Sequence, residues 1–139
     1  MTTESTTEPN VALRQISLAH DAATSCWNIL WELENLGTEA LEIVSARLPH
    51  GQFKSAEQHF MPALELAGGA SRRFQCLVHC DEPAGRVTDN AFVIFDCHWR
   101  GEAWRIFVRI RVSVHADGRP ETATELITTQ KVGFSGITS

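Results

Sequence analysis

From Ala91 to Val112, apolar residues fall on every second position on both sides of one short polar break, a pattern that commits these segments to β-structure and restricts how they pair. Val93, Phe95, Cys97 and Trp99 share one face of the first segment, and Trp104, Ile106, Val108, Ile110 and Val112 share one face of the second. Arg100-Gly101-Glu102-Ala103 joins them, so an antiparallel hairpin is expected. Odd positions on one strand must face even positions on the other, which requires an even number of loop residues unless a bulge intervenes. Two arrangements satisfy that parity. A Gly101-Glu102 turn, or a wider four-residue loop, pairs Trp99 with Trp104 and Phe95 with Val108, whereas an Arg100-Gly101 turn pairs Cys97 with Trp104 and Asp96 with Arg105. The first is preferred, because glycine at the first central position suits a type II′ turn and facing aromatic residues make a favourable cross-strand pair.

The same period continues through most of the chain. Leu13 to His20 reads as a strand, and Cys26 to Asn35 as a clearer one with Trp27, Ile29, Trp31 and Leu33 on its core face. Asn35-Leu36-Gly37 supplies a turn, Leu41 to Leu48 a further strand, and Pro49-His50-Gly51 a break. Phe74, Cys76, Val78 and Cys80 alternate with Arg73, Gln75 and His79, and Leu126 to Val132 reads as the last strand. Ser55 to Phe60 leaves room for one helical turn. Gly133-Phe134-Ser135-Gly136 is expected to fold back and pack Phe134, or to stay free. Residues 1–10, rich in Thr and Glu, read as a flexible tail, residues 11–134 as one domain, and residues 135–139 as a C-terminal tail.

With 139 residues, 43% hydrophobic and 21% charged, the chain has the composition of a single globular domain. A domain of that size buries roughly two-thirds of the surface its unfolded form exposes. The short strands, the tryptophan-bearing early strand, the Asn35-Leu36-Gly37 turn and the Leu64 to Phe74 segment together resemble an immunoglobulin-like or fibronectin-type-III-like antiparallel β-sandwich of about seven to nine strands. The resemblance is architectural, covers residues 11–134 and implies no residue-specific activity.

A net charge of −5 argues against general affinity for nucleic acid or an anionic membrane. Met1 to Asn10 carries neither the basic nor the apolar region of an export signal, so a cytoplasmic setting is expected, with Cys26, Cys76, Cys80 and Cys97 reduced. Cys76 and Cys80, four apart on one strand, stand roughly 13 Å apart, beyond bridging reach. No hydrolase elbow, zinc-protease helix, phosphate loop, dinucleotide fingerprint or calcium loop occurs, and Ser113, His115 and Asp117 follow one another along a strand end instead of converging. With no catalytic motif, a non-catalytic chain without a cofactor is expected, and an enzyme assembled from residues distant in sequence stays open. Trp27, Trp31, Trp99 and Trp104 all fall on core faces, which favours packing over a sugar-stacking platform.

The side of the hairpin opposite its core face is the most distinctive surface. It carries Phe92, Ile94, Asp96 and His98 on one strand and Arg105, Phe107, Arg109 and Arg111 on the other. On a structural reading the arginines lie over apolar neighbours and pair with Asp96 and with acids such as Glu32 or Glu34. On a functional reading Arg105, Phe107, Arg109, Arg111, Asp96 and His98 form an exposed site for a protein partner or an anionic ligand, and self-association is the simplest version. An alternative from another class is a metal or thiol-redox protein using His79, Cys80, Cys97 and His98. Strand neighbours point to opposite faces, so that site would need Cys80 to meet Cys97 or His79 to meet His98.

Overall fold

The period-two pattern resolves into eight strands and no helix in a computed structural model that describes residues 7–132. They are β1 (Val11–Asp21), β2 (Cys26–Asn35), β3 (Leu41–His50), β4 (Phe53–Leu66), β5 (Ser71–Cys80), β6 (Val87–Trp99), β7 (Glu102–Val114) and β8 (Pro120–Lys131). Met1 to Thr6 and the segment from Gly133 onward, including Phe134, lie outside the described residues. Ahead of β1, Pro9 is buried and Asn10 O accepts a hydrogen bond from Leu36 N at 2.8 Å. Among the described residues no helix is long and apolar enough to cross a membrane.

All neighbouring strands are antiparallel, in the order β1-β2-β5-β4-β3-β6-β7-β8. This is one nearly closed, barrel-like sheet, whereas the sequence suggested two stacked sheets. Two local features cause the near closure. The first is at β4 and β5, which keep two ladder pairs, Phe53 with Cys80 and Lys54 with His79, and so keep the sheet continuous at one end. The second is at the outer edges, where β1 and β8 are joined by side chains. Gln15 Nε2 donates to Pro120 O at 3.2 Å, its Oε1 accepts from Thr122 N and Oγ1 at 2.9 and 2.8 Å, and Thr124 Oγ1 donates to Leu13 O at 2.9 Å.

Ser55 to Phe60, where a helical turn was conceivable, is strand throughout. The irregularity there is a bulge: Ile43 pairs with Leu64 and Ser45 with His59, so Phe60 to Ala63 lie opposite the single residue Val44. The bulge leaves Met61 86% exposed while Phe60 turns back to pack on the core.

The hairpin adopts the register that was not preferred. Cys97 pairs with Trp104, Asp96 with Arg105 and Trp99 with Glu102, across a two-residue Arg100-Gly101 turn. Both turn residues have positive φ, 55° at Arg100 and 75° at Gly101, as a type I′ turn requires. Glycine thus serves at the second central position, where the strand twist favours it. The aromatic contact expected of the other register is made diagonally, since the Trp99 and Trp104 rings meet edge to face with centroids 5.8 Å apart. At the other end of β6, Asn90 (φ 68°) takes up a one-residue bulge between Thr88 and Ala91. Trp31, Trp99 and Trp104 are buried, and Trp27 is half-buried against the core.

Asn35 does more than turn the chain. It is 1% exposed, and its Nδ2 faces Glu39 O, Leu66 O and Ala67 O at 2.8, 3.1 and 3.3 Å, while Oδ1 accepts from Gly37 N at 3.0 Å. Its backbone N donates to Ala70 O and its O accepts from Gly69 N, both at 2.9 Å. One residue therefore ties the β2–β3 turn to the β4–β5 hairpin. The two turns are so close that a Cβ on Gly68 would stand 2.5 Å from Thr38 O, which explains the glycine.

Candidate functional site

Residues paired across strands share a face, so the ladders lay out the outer surface of the β3-β6-β7-β8 layer in rows. One row is Ser45, Asp96, Arg105 and Gln130, the next is Arg47, Ile94, Phe107 and Thr128, and a third is Phe92, Arg109 and Leu126. Arg111 follows beside Ala123. The sequence-predicted site residues Asp96, Arg105, Phe107, Arg109 and Arg111 are thus brought together, with His98 at the margin. Ile94, flanked in register by Arg47 and Phe107, is only 8% exposed although it faces outward. Long arginine stems over apolar neighbours account for such burial. Leu126, beyond Arg109, is 48% exposed.

Arg47, Arg105 and Arg111 of this face are paired closely with carboxylates, whereas Arg109 Nε is buried without a hydrogen-bond partner. Asp96 accepts from Arg105 Nε at 2.8 Å, Arg47 Nη1 at 3.1 Å and Ser45 Oγ at 3.2 Å. Arg47 also lies 3.8 Å from Glu57. Arg111 reaches Asp89 at 3.0 Å and Glu125 at 2.9 Å, and Arg109 lies 3.9 Å from Glu125. His98 Nδ1 is 3.1 Å from Glu42. The expected partner Glu32 is elsewhere: it belongs to β2, on the other layer, and pairs with Arg14 at 2.6 Å and Arg73 at 3.4 Å. The hairpin face therefore sets Arg47, Arg105, Arg109 and Arg111 among Glu57, Asp89, Asp96 and Glu125, four formal charges of each sign.

Burial alone would raise the Asp96 carboxyl, but the Arg105 hydrogen bond, the charges of Arg105 and Arg47, and the Ser45 hydroxyl outweigh it and hold it below the usual range. A depressed folded value means that this contribution is present above the unfolded carboxylate value of about 3.9 and is lost as pH falls through the lower folded value. Asp96→Asn is expected to cost about 1–2 kcal/mol at neutral pH and to flatten the acid limb of the stability curve. Urea denaturation of both proteins at neutral and strongly acidic pH checks this, with the difference between them shrinking in acid.

The alternative quartet does not converge. Cys97 is buried between Ile43 and Trp104 in register, and burial, with a smaller effect of the Asp96 charge, pushes its thiol up to about 12. Cys80 stands opposite Phe53, its thiol also raised by burial, while His79 stands opposite Lys54 and His98 opposite Glu42. Among the described residues no three His, Cys, Asp or Glu side chains form a group that could hold a metal ion. All four cysteines are free. Ser113, His115 and Asp117 also stay apart in their bonding: His115 pairs with Glu121 at 2.8 Å, and Asp117 Oδ1 accepts from Arg119 N at 3.1 Å. His115, Arg119 and Glu121 line a cleft of about 470 Å³ at the β1–β8 seam, with Gln15 and Ser17 opposite.

One grouping escaped the sequence reading. Cys26 Sγ lies 3.8 Å from His79 Nδ1, and His79 Nε2 lies 2.9 Å from Asp81 Oδ2. It exists because β2 pairs with β5, Trp27 facing Val78, which sets Cys26 beside His79 on the outer side of the other layer. Only that strand pairing, not any local spacing, could have revealed it. No known protein family, curated protein or solved structure matches the chain.

Proposed function

We propose that the protein is a non-catalytic binding or assembly module that engages a protein partner, in the simplest case a second copy of itself, through the outer face of β3, β6, β7 and β8. The observation that carries this reading is the outward-facing set of Phe92, Phe107 and Leu126, half-buried at the two aromatic residues and 48% exposed at Leu126, bordered by arginines and carboxylates in equal number. Arginine and aromatic side chains within a polar rim are the usual composition of a protein interface. Three of the four guanidinium groups, those of Arg47, Arg105 and Arg111, already hold carboxylates at 2.8–3.1 Å, which favours a protein surface over a free anion. A face with both signs in balance can also complement itself across a two-fold axis. The neighbour relations β1-β2, β2-β5, β3-β6 and β6-β7 are those of an immunoglobulin-like or fibronectin-type-III-like sandwich, a scaffold that commonly presents such faces.

Leu126→Asp separates binding from folding, because the side chain is already half exposed. Sedimentation over a wide concentration range is expected to show self-association of the wild type and weakening by about tenfold or more in the variant, with melting temperatures nearly equal. A wild type that stays monomeric at every concentration rules out the self-association version.

A further inference from the structure

On the opposite layer from the proposed interface, we propose that Cys26, His79 and Asp81 form a thiol-exchange site at which Cys26 attacks a low-molecular-weight disulfide and carries the resulting mixed disulfide. Its geometry assigns a role to each group. Asp81 Oδ2, 2.9 Å from His79 Nε2, accepts that nitrogen's proton, which leaves the Nδ1 lone pair directed at Cys26 Sγ, 3.8 Å away. This is the nucleophile, base and orienting acid sequence of activated nucleophiles. Histidine–carboxylate pairs also occur at His59, His98 and His115, but among the described residues only His79 has a thiol at its second ring nitrogen.

The surroundings suit exchange in the open. Cys26 is half-buried at the start of β2, His79 is partly exposed and Asp81 exposed, so a small disulfide can approach. Lys54 stands opposite His79 on the β4 side, placing a cation on the same face. Asp21 flanks Cys26 from β1, with its Oδ1 engaged by Ala23 N at 3.0 Å. None of the three groups lines the seam cleft or the hollows beside His98. Cys76 and Cys97, pushed up to about 12 by burial, and Cys80, also raised, are held as inert thiols beside the reactive one.

In the step itself, the Cys26 S–H proton passes to His79 Nδ1, and the imidazolium is held by Asp81. The Sγ electron pair forms a bond to one sulfur of the incoming disulfide while the old S–S bond breaks. The departing thiolate takes the proton from His79, so Cys26 is oxidised to a mixed disulfide as the reagent is reduced to one thiol. Catalysis by a positioned base sets the scale of the effect.

The full chain incubated with oxidised glutathione at neutral pH, followed by intact mass and peptide mapping, tests this. One adduct is expected, on Cys26, forming faster in the native protein than at the same cysteine in urea-unfolded chain. His79→Gln is expected to slow it by about tenfold or more, and Asp81→Asn to slow it less, with Asp81→Glu restoring the rate. Circular dichroism establishes that each variant is folded. An adduct first at Cys80, a native rate no higher than the unfolded one, or an unchanged rate in folded His79→Gln overturns the proposal. The comparison of native and unfolded wild type decides the matter even where a variant fails to fold.

Discussion

Asn35→Asp, a change of one amide to one carboxylate, is expected to lower stability by at least about 3 kcal/mol at neutral pH. The amide nitrogen faces three carbonyl oxygens from two separate turns, and the side chain is buried. A carboxylate oxygen in its place turns a shared donor into an acceptor among acceptors, and its charge would be buried. Asn35→Ala only leaves the carbonyls unsatisfied and is expected to cost less, about 2 kcal/mol. The two variants also differ in their response to acid. The carboxyl introduced by Asn35→Asp would titrate above its unfolded value in the folded state, so the penalty grows as pH rises past about 4 and recedes below it. Urea denaturation of wild type, Asn35→Asp and Asn35→Ala at neutral and acidic pH distinguishes charge from lost hydrogen bonding. Equal losses for the two variants at every pH would defeat the argument.

Asn35 also marks where sequence reading reaches its limit. The Asn35-Leu36-Gly37 turn was legible because these residue types favour turns locally. The second set of partners, Leu66 and Ala67, lies a full strand hairpin away, and nothing in the local sequence announces it. The central hairpin behaves the same way. Parity restricted its register to two classes, because alternation of side chains is a backbone property, but the choice between Gly101-Glu102 and Arg100-Gly101 depended on which residues tolerate positive φ. The arginine face was legible as a face, since Arg105, Phe107, Arg109 and Arg111 alternate. Its ion pairs were legible only within the hairpin, where Asp96 meets Arg105. Glu125 and Glu57 arrive from β8 and β4, and the strand order that brings them is a tertiary fact. Cys26 and His79 are the extreme case, joined by a pairing of strands two and five.

The two surfaces with chemical character therefore sit on different sides of the barrel-like sheet, and what holds those sides together determines whether either survives. Phe95 on β6 meets the Phe74 ring on β5 edge to face at 5.7 Å, and Phe74 meets Phe60 of the β4 bulge in the same manner at 5.7 Å. This aromatic relay runs from the arginine-bearing layer to the cysteine-bearing one beside the stretch where β4 and β5 no longer share a ladder. Phe95→Ala is expected to cost about 3–5 kcal/mol, since the ring is fully buried and flanked in register by Ala46 and Ile106, small or branched residues that collapse poorly into its volume. Phe60→Ala, at a half-buried position on a bulge that can relax, is expected to cost about 1–2 kcal/mol. Because Phe74 touches both rings, the Phe74→Ala and Phe95→Ala losses should not add, and a double-mutant cycle by urea denaturation is expected to show coupling of about 1 kcal/mol. Additivity would mean that the layers are joined by general apolar burial rather than by this contact. Coupling of the expected size would show that the edge-to-face contact of Phe74 with Phe95 itself helps to hold β5 against β6.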